Sequence, residues 1–265
     1  MTSMVSGWDI GGAHVKVARC DDKGQLVQVI QVACPLWQGI EQLQQAIESI
    51  FAQLHNQDDL HAITMTGELV DIFTDRQAGV EGILSCLSHY IAPDKTRVYA
   101  AEKGWVSPEE AKQYWQSVAS RNWQASATLV AATASNGLFI DIGSTTCDII
   151  PFYDGLVASQ QVDDFGRQTS RELLYTGAIR TPLIAISKTA PFNGTSISLA
   201  AELFATSGDV WCLLEALNPD DLQDNSADGQ PWDIKYCASR IARLLGTDAS
   251  EADHQQWLQL AQWFA

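Results

Sequence analysis

The alternation of apolar and polar residues at the start of the chain predicts three short strands joined by two tight turns. Apolar side chains alternate over residues 5–10 and 14–20, and a third run, LVQVIQVA, follows the turn DDKG at residues 21–24. A period of two is typical of strands that bury one face, and tight turns favour antiparallel neighbours. We therefore predict an antiparallel meander over residues 5–33.

A helical period replaces this alternation after the meander. The apolar positions now recur at intervals of three and four residues, which predicts an amphipathic helix. They are Ile40, Leu43, Ile47, Ile50, Phe51 and Leu54. The same patterns predict a strand entering a loop at 61–69, a helix at 79–91, a strand at 97–102 and a helix at 107–119. Ser107, Pro108 and Glu110 have the types and spacing of a capping box at the start of that last helix.

The second half of the chain repeats the opening pattern. FIDIGSTTCDIIP at residues 139–151 matches WDIGGAHVKVA at residues 8–18, and a turn with the dipeptide DG follows it much as DDKG follows the first copy. Apolar residues at 156–162 then resemble a third strand. A strand, acidic turn, strand and second turn that recur at half-chain spacing predict two related α/β domains, 1–135 and 136–265.

Helices are predicted in four segments that follow the repeat. Their sequences are SRELLYTG, SISLAAELFATSGDVWCLLEAL, DIKYCASRIARLLG and HQQWLQLAQWFA. The last helix could belong to the second domain or pack back across the first, and the pattern leaves both arrangements open.

Composition narrows the class of protein. The 265 residues are 46% apolar, and 16 basic against 32 acidic residues give a net charge of −16. Such a charge repels phosphate backbones, so we expect no nucleic-acid partner. No apolar run approaches the length of a membrane span, so we expect no membrane-spanning segment and no membrane partner. Six separated cysteines without a CxxC pair favour a reducing, cytoplasmic setting.

The duplicated turn suggests a site for a phosphorylated ligand. Glycine and small residues allow a ligand close to the backbone, where successive amides bind anions. The residues concerned are Gly11, Gly12, Gly143, Ser144, Thr145 and Thr146. Asp9 and Asp141 could hold a hydrated Mg²⁺ that contacts the phosphates. The alternative is that each Asp-Ile-Gly is only a hairpin turn.

Paired loops of this kind resemble those of the acetate- and sugar-kinase, heat-shock-70 and actin superfamily. The resemblance implies a duplicated actin-like, sugar-kinase-like (ribonuclease H-like) ATPase fold with two domains around a central cleft. Members that bind ATP usually carry a later glycine-rich segment, whereas Gly11-Gly12 is the only Gly-Gly pair in this chain. We therefore expect a phosphorylated ligand other than a nucleotide.

A finer resemblance covers about residues 5–250. It is carried by TMTGEL at 64–69, GVEGI at 79–83, FIDIGSTTCDIIP, ELLYTGAIRTPL at 172–183, ELFATSGDVWCLL at 202–214, SADG at 226–229 and SRIARLLGTD at 239–248. Together these stretches resemble the hydantoinase/oxoprolinase family, in its branch linked to tetrahydromethanopterin-dependent one-carbon metabolism and methanofuran biosynthesis.

That resemblance implies a transferase with Mg²⁺ as its metal. The reaction joins an aminomethylfuran-methyl diphosphate to the phenol oxygen of a γ-glutamyltyramine-like acceptor, forming an aryl ether and releasing diphosphate. Its partners are therefore a phosphorylated furan and a phenol. Two alternatives stay open, a nucleotide-dependent small-molecule kinase or ATPase on the same scaffold and a non-catalytic protein of the one-carbon pathway.

Individual side chains have candidate roles beside these loops. Lys16 leaves the first loop on an alternating strand that could direct it at phosphate. His14 could be an acid or base, and Thr66 and Glu68 of TMTGEL could reach the ligand, Glu68 as a metal ligand or phenol base. Arg180 of YTGAIRTP is a candidate diphosphate partner. Solvated, structural or helix-terminal roles are the alternatives for all of them.

Three further residues bear on the second loop. By repeat alignment the counterpart of Lys16 is Asp148, so the two loops differ in charge. Arg167 is another scarce cation, with an ion pair as its alternative role. Tyr175 could stack on an aromatic substrate, although the sequence favours a core position.

Overall fold

The computed structural model describes residues 4–54, 59–222 and 225–265, which contain twelve strands and ten α-helices. The strands are β1 Val5–Ile10, β2 His14–Cys20, β3 Leu26–Ala33, β4 Leu60–Met65, β5 Thr96–Tyr99, β6 Trp105–Val106, β7 Gly137–Ile142, β8 Cys147–Tyr153, β9 Leu156–Val157, β10 Leu173–Leu174, β11 Thr189–Phe192 and β12 Thr195–Ser198. The helices are α1 Ile40–Leu54, α2 Arg76–Leu87, α3 Pro108–Gln113, α4 Trp115–Val118, α5 Asn122–Ala131, α6 Asp164–Ser170, α7 Leu183–Ile186, α8 Ser207–Leu213, α9 Ile234–Leu244 and α10 His254–Phe264.

These elements form two compact units. The first comprises the described residues of Met1–Gly137 together with Pro151–Ala158, and the second comprises those of Leu138–Ile150 and Ser159–Ala265. These units are defined by contacts within the structure, and the domains predicted from sequence, 1–135 and 136–265, remain a prediction. No helix in the described ranges is long and apolar enough to cross a bilayer.

The first unit is built on a six-stranded mixed sheet in the order β3-β2-β1-β4-β5-β6. Strands β1, β2 and β3 are antiparallel neighbours, which confirms the predicted meander. Strands β4 and β5 then add in parallel to β1, after the crossover helices α1 and α2. The register places Asp9 of β1 directly opposite Lys16 of β2.

One face of this sheet forms the core of the first unit with helices α1 and α2. Trp8 and Ile10 on β1 alternate with Asp9, which points to the other face, and both are almost fully buried. Leu43, Ile47 and Ile50 of α1 pack against them, as the amphipathic period predicts. Each such side chain contributes about 1.5–3 kcal/mol when it is removed from water.

The capping box predicted at Ser107 is confirmed. The Glu110 amide donates to Ser107 Oγ at 3.3 Å, and the Glu110 carboxylate accepts from the Ser107 amide at 2.9 Å. The single helix predicted over 107–119 is wrong, because α3 ends at Gln113 and a separate short helix, α4, follows. Tyr114, at φ −100° and ψ 31°, interrupts the helical backbone between the two.

The second unit contains the repeated hairpin, but not the rest of the first sheet. Strands β7, β8 and β10 are neighbours in the order β10-β8-β7. The last residues of β8, Phe152 and Tyr153, pair with β9 and belong with it to the first unit. Within the described residues, no strand takes the place that β4 has beside β1. Leu138, Ile140 and Ile142 of β7 are accordingly 61%, 55% and 63% exposed, whereas the matching side chains of β1 are buried.

Two of the predicted helices in this half are wrong, at least in part. SRELLYTG forms no helix: α6 ends at Ser170, because Arg171 adopts a left-handed conformation with φ 63°, and β10 follows. The helix predicted from Ser196 begins only at Ser207. A hairpin, β11–β12, takes the preceding residues, and Asn193 and Gly194 form its turn with φ of 50° and 75°.

The helices α8, α9 and α10 enclose the core of the second unit. Helices α9 and α10 agree with the predicted segments. Trp257 of α10 stacks on Phe192 of β11, with ring centroids 4.8 Å apart. Helix α10 therefore packs within the second unit, against α8 and β11, which answers the question that its sequence pattern left open.

Candidate functional site

The first glycine-marked loop joins β1 to β2. The Gly11 amide donates a hydrogen bond to the His14 carbonyl at 2.9 Å, so four residues close a tight turn. In the part of the chain that the structure describes, the amides of Gly12 and Ala13 have no hydrogen-bond acceptor. Successive amides of this kind form a concave site for an anion.

The second loop, between β7 and β8, has the same construction. The Gly143 amide donates to the Thr146 carbonyl at 2.8 Å. Over the described ranges, the amides of Ser144 and Thr145 likewise have no acceptor. The sequence repeat thus corresponds to a repeated backbone turn, and the predicted anion-binding residues form two loops of equal geometry. That the loops face each other stays a prediction.

A Thr-Gly pair packs against the first loop. The Thr66 amide donates to the Ile10 carbonyl at 2.9 Å. A Cβ on Gly67 would lie 3.2 Å from the carbonyl oxygens of both Ile10 and Gly11, so the two backbones approach too closely for a larger residue. The motif TMTGEL therefore positions the loop through its backbone.

A second Thr-Gly pair, Thr176-Gly177, belongs to the segment that packs on the second loop. The Ala178 amide donates to the Gly143 carbonyl at 2.9 Å, and the Arg180 amide donates to the Ser144 carbonyl at 2.8 Å. A Cβ on Gly177 would lie 2.5 Å from the amide nitrogen of Thr145, a distance that no real Cβ tolerates. The motif YTGAIRTP therefore supports the second loop as TMTGEL supports the first.

The second support is itself held from behind. The Gly177 amide donates to Thr181 Oγ1 at 2.7 Å, and Ser207 Oγ donates to the Gly177 carbonyl at 2.8 Å. Our sequence reasoning identified the two motifs but missed that each presents a Thr-Gly pair to a loop. The shared dipeptide was the signal that could have revealed it.

The charged groups at the first loop are a cation and a carboxylate. Lys16 Nζ lies 3.6 Å from Asp9 Oδ2, and the two side chains are 54% and 30% exposed. Asn122, at the start of α5, donates its side-chain amide to Asp9 Oδ1 at 3.3 Å. The Asp9 carboxylate therefore holds both partners at the loop, and Asn122 is a site residue that sequence reasoning missed.

The second loop has carboxylates where the first has a lysine. Burial raises the pKa of Asp148, the Arg167 guanidinium lowers it in part, and the charges of Asp141 and Asp164 raise it further. Arg167 is 1% exposed and lies 2.5 Å from Asp148. The alternative role of Arg167, an ion pair, is thus the one observed, although the pair is buried.

The two predicted metal-binding carboxylates differ in their suitability for Mg²⁺. Asp9 already has a cation beside it, whereas Asp141 is exposed and lies in the negative field that it shares with Asp148. The structure, over its described residues, contains no group of three or more His, Cys, Asp or Glu side chains arranged for a metal ion. Mg²⁺ commonly needs only one or two carboxylates when a substrate phosphate supplies the other ligands. Asp141 therefore fits a hydrated Mg²⁺ better than Asp9.

The remaining candidates lie in different environments. Glu68 is 1% exposed and accepts a hydrogen bond from Ser120 Oγ at 2.8 Å, which favours a structural role. His14 is partly buried and contributes its carbonyl to the first loop. Arg180 is exposed, with its amide bound to the second loop. Tyr175 is 53% exposed, so the core position favoured from sequence is wrong.

Three other motifs meet in a buried ion-pair network of the second unit. Arg240 of SRIARLLGTD lies 2.6 Å from Asp209 of ELFATSGDVWCLL, and both side chains are fully buried. The Nη1 atom of Arg240 lies 2.9 Å from Asp228 of SADG, and Asp228 also pairs with Arg243. These motifs therefore meet inside the second unit, where Ser207 of α8 also bonds to the segment that supports the second loop.

The sheet of the first unit, the repeated hairpin and the two loops define an α/β protein of the actin-like and sugar-kinase-like class. Its fold is similar to that of acetone carboxylase in a nucleotide-free structure, with a TM-score of 0.52 at 11% identity. That structure was determined for the mechanism of ATP-dependent acetone carboxylation. The likeness covers 95% of this chain and 60% of that chain. The predicted fold class is confirmed.

The chain belongs to the hydantoinase/oxoprolinase family, whose model matches residues 59–256. It is 28% identical over 263 residues to (4-{4-[2-(γ-L-glutamylamino)ethyl]phenoxymethyl}furan-2-yl)methanamine synthase of Methanocaldococcus jannaschii, covering 98% of this chain and 77% of that protein. The synthase of the same name from Methanococcus vannielii is 35% identical over 126 residues, covering 48% of this chain and 56% of that protein. The family predicted from the motifs is confirmed.

Proposed function

We propose that the protein is a transferase that forms an aryl ether. It joins an aminomethylfuran-methyl diphosphate to the phenol oxygen of a γ-glutamyltyramine-like acceptor and releases diphosphate, as a step in methanofuran or methylofuran biosynthesis. The similarity to a synthase whose named product contains this phenoxymethylfuran ether, over nearly the whole chain, supports the proposal. The observation that carries it is the pair of matching loops with unpaired amides, each supported by a family motif.

The proposed reaction exchanges one carbon–oxygen bond for another. The bond between the furan methylene and the diphosphate breaks, and its electron pair leaves with the diphosphate. The phenol oxygen bonds to the methylene carbon, and its proton passes to the released diphosphate, which is more basic than an aspartate. The furan oxygen stabilises positive charge on the methylene, so the protein must chiefly stabilise the negative leaving group.

Stabilising the leaving group is an electrostatic task for the two loops. Each loop fixes its own amides before any ligand binds, those of Gly12 and Ala13 in the first and of Ser144 and Thr145 in the second. Preorganised donors of this kind act without reorganisation in the transition state. Lys16 adds a positive charge at the first loop, and Asp9 holds it there. Arg180 is the candidate cation at the second loop, where its amide donates to the Ser144 carbonyl, whereas Arg167 is buried against Asp148.

Mg²⁺ is the expected cofactor of this reaction, and ATP is not. Mg²⁺, when bound with the diphosphate, neutralises part of its charge, and Asp141 is the residue that would hold it through water. In this proposal Thr66 supports the first loop through its amide, and Glu68, which accepts from the buried Ser120, has a structural role. ATP has no part in the proposed reaction.

The test is a coupling assay with purified protein, the furan diphosphate, a γ-glutamyltyramine acceptor and Mg²⁺. We expect equal amounts of diphosphate and ether product without any nucleotide. Parallel reactions lack the phenol, the Mg²⁺ or the protein. Product that forms only when ATP is added would favour a kinase on the same scaffold, and the absence of any product would favour a non-catalytic pathway protein.

A further inference from the structure

A cavity of about 440 Å³ lies in the second unit beside the second loop. Its wall includes Ile142 and Cys147, the residues that immediately precede and follow the loop, and Gly177 and Ala178 of the segment bonded to it. A volume of this size is within the usual range for small-molecule sites. The cavity therefore shares a wall with the loop that we assign to the diphosphate.

The chemistry of the cavity selects an uncharged, flat and apolar ligand. None of the described residues that line it carries a charge, although 18% of the chain is charged. Trp211 and Phe264 supply aromatic surfaces, and Leu174, Leu183 and Val210 supply aliphatic ones. Aromatic walls favour aromatic ligands through stacked and edge contacts. A phosphate or a carboxylate would lose its hydration here without a charged partner.

Two of the three hydroxyl groups in the wall, those of Thr181 and Ser207, are already engaged. Thr181 Oγ1 accepts from the Gly177 amide and Ser207 Oγ donates to the Gly177 carbonyl, so both hold the support of the loop. A nucleobase needs hydrogen bonds to its polar edge, and these two groups are not free to supply them. A simple ring with few polar atoms is the better match.

We propose that this cavity binds the uncharged aromatic ring of a substrate, either the furan of the diphosphate donor or the phenol of the acceptor. The assignment rests on the proposed transferase function, which requires two such rings to meet beside the diphosphate. In the donor, one methylene group separates the ring from the diphosphate, so a cavity that borders the loop is in reach. The open, apolar mouth at Ile142 and Ile186, 63% and 44% exposed, admits the ring from solvent.

Direct binding tests the cavity without any turnover. The probes are 4-methylphenol and furfuryl alcohol, the ring fragments of acceptor and donor, measured by ligand-detected NMR and calorimetry. Ala178→Leu fills the cavity from its wall, and Ala216→Phe blocks it from an exposed position, which keeps the test valid if the first variant folds poorly. Ala185→Leu is the matched control, because Ala185 is exposed and is not part of the wall.

We expect at least one fragment to bind the unaltered protein and Ala185→Leu with equal affinity. The same fragment should bind at least tenfold more weakly to Ala178→Leu and Ala216→Phe, the two filled variants. Binding that differs by less than twofold in the filled variants, or no fragment binding to the unaltered protein, would overturn the proposal. Displacement of the fragment by adenosine at lower concentration would also overturn it, since a nucleoside site would then occupy the cavity.

Steady-state kinetics identify which ring binds. A rise of about tenfold in the KM for the donor alone assigns the furan, and the same rise for the acceptor alone assigns the phenol. Fragment binding that is lost in the filled variants, without coupled product from the unaltered protein, would sustain the aromatic site and reject the transferase function. Coupled product from the unaltered protein, together with unchanged KM values in correctly folded Ala178→Leu and Ala216→Phe, would sustain the transferase function and reject the aromatic site.

Discussion

Among single residues, Asp9 matters most at the first loop, because its carboxylate contacts both the nearby cation and a side-chain amide from α5. It contacts Lys16 through one oxygen and Asn122 through the other. Removing its charge leaves Lys16 without the anion that holds it beside the loop. The residue is partly exposed, so the fold does not depend on it as a buried group would.

We therefore expect Asp9→Asn to reduce kcat/KM for coupling at least a hundredfold, with a melting temperature within a few degrees of the unaltered protein. Asp22→Asn is the control, because Asp22 is an exposed aspartate in the turn that follows β2. It should keep full activity. Equal activity in the two variants would remove Asp9 from the site.

A buried histidine in the first unit makes stability depend on pH. His61 Nδ1 accepts a hydrogen bond from Trp8 Nε1 at 3.0 Å, and burial lowers the pKa of His61 to about 4, against the opposing charge of Asp59. The unfolded chain protonates this group near pH 6.5 and the folded chain does not. Its contribution to stability is therefore complete above pH 6.5 and is lost as the pH falls towards 4.

We expect the free energy of unfolding to fall by up to about 3 kcal/mol across that window because of His61. His61→Gln, which can still accept from Trp8, should flatten the slope in denaturant titrations at several pH values. The exposed His254→Gln should leave the slope as it is. An unchanged slope in His61→Gln would show that other groups titrate instead.

At the scale of elements, the supports of the two loops depend on close backbone contact. A Cβ would lie 2.5 Å from the nearest backbone atom at Gly177 and 3.2 Å at Gly67, but 3.7 Å at Gly7 in strand β1. Overpacking of this kind typically costs about 1–3 kcal/mol. Because the displaced atoms at Gly177 belong to the second loop, activity should suffer together with stability.

The expected order of loss in kcat/KM is Gly177→Ala first, then Gly67→Ala, with Gly7→Ala close to the unaltered protein. Melting temperatures measured on the same preparations separate a displaced loop from general unfolding. If Gly7→Ala lost as much activity as Gly177→Ala, the close contacts at the loops would not be the cause.

The network around Arg240 joins α8, α9 and the segment that contains Asp228. Breaking a fully buried pair leaves an uncompensated charge, which typically costs about 3–5 kcal/mol. We expect Arg240→Met to destabilise the protein by that order in chemical denaturation. Arg243→Met removes a half-exposed partner of Asp228 and should cost about 1 kcal/mol or less. A similar small loss for both variants would contradict a stabilising role for the buried pair.

Local sequence patterns predicted some of these elements and not others. Helix α1 and the opening meander followed from periodicity, because one face of each is buried and the pattern records it. The helix predicted across β11 and β12 was wrong although Asn193-Gly194 is a strong hairpin signal. Apolar residues there also fit a helical period, and the choice depends on tertiary packing against α10 that no local pattern contains.

At the scale of the whole molecule, the repeat predicted the site better than it predicted the architecture. The two loops have the same turn because each has its own Asp-Ile-Gly sequence. Among the residues that the structure describes, the second unit has no strand corresponding to β4, so the duplication of elements there is incomplete. Asn122 could not be placed at the first loop from sequence, since it reaches Asp9 only through the tertiary fold.

The net charge of −16 gives the local cations their importance. A diphosphate approaches against the overall field, so it depends on the loop amides and on the few positive groups beside them. The proposed aromatic cavity adds affinity that is independent of charge. Together these features predict an enzyme that recognises an uncharged ring through the cavity of the second unit and a diphosphate through the loop amides.

The most direct test of the central claim follows the phenol oxygen. Coupling is performed with an acceptor that carries ¹⁸O in its phenol group, and the ether and the diphosphate are analysed by mass spectrometry. We predict that all of the label is in the ether and none is in the diphosphate, with no nucleotide present. Label in a released phosphate, or coupling that requires ATP, would contradict the proposed displacement of diphosphate by the phenol.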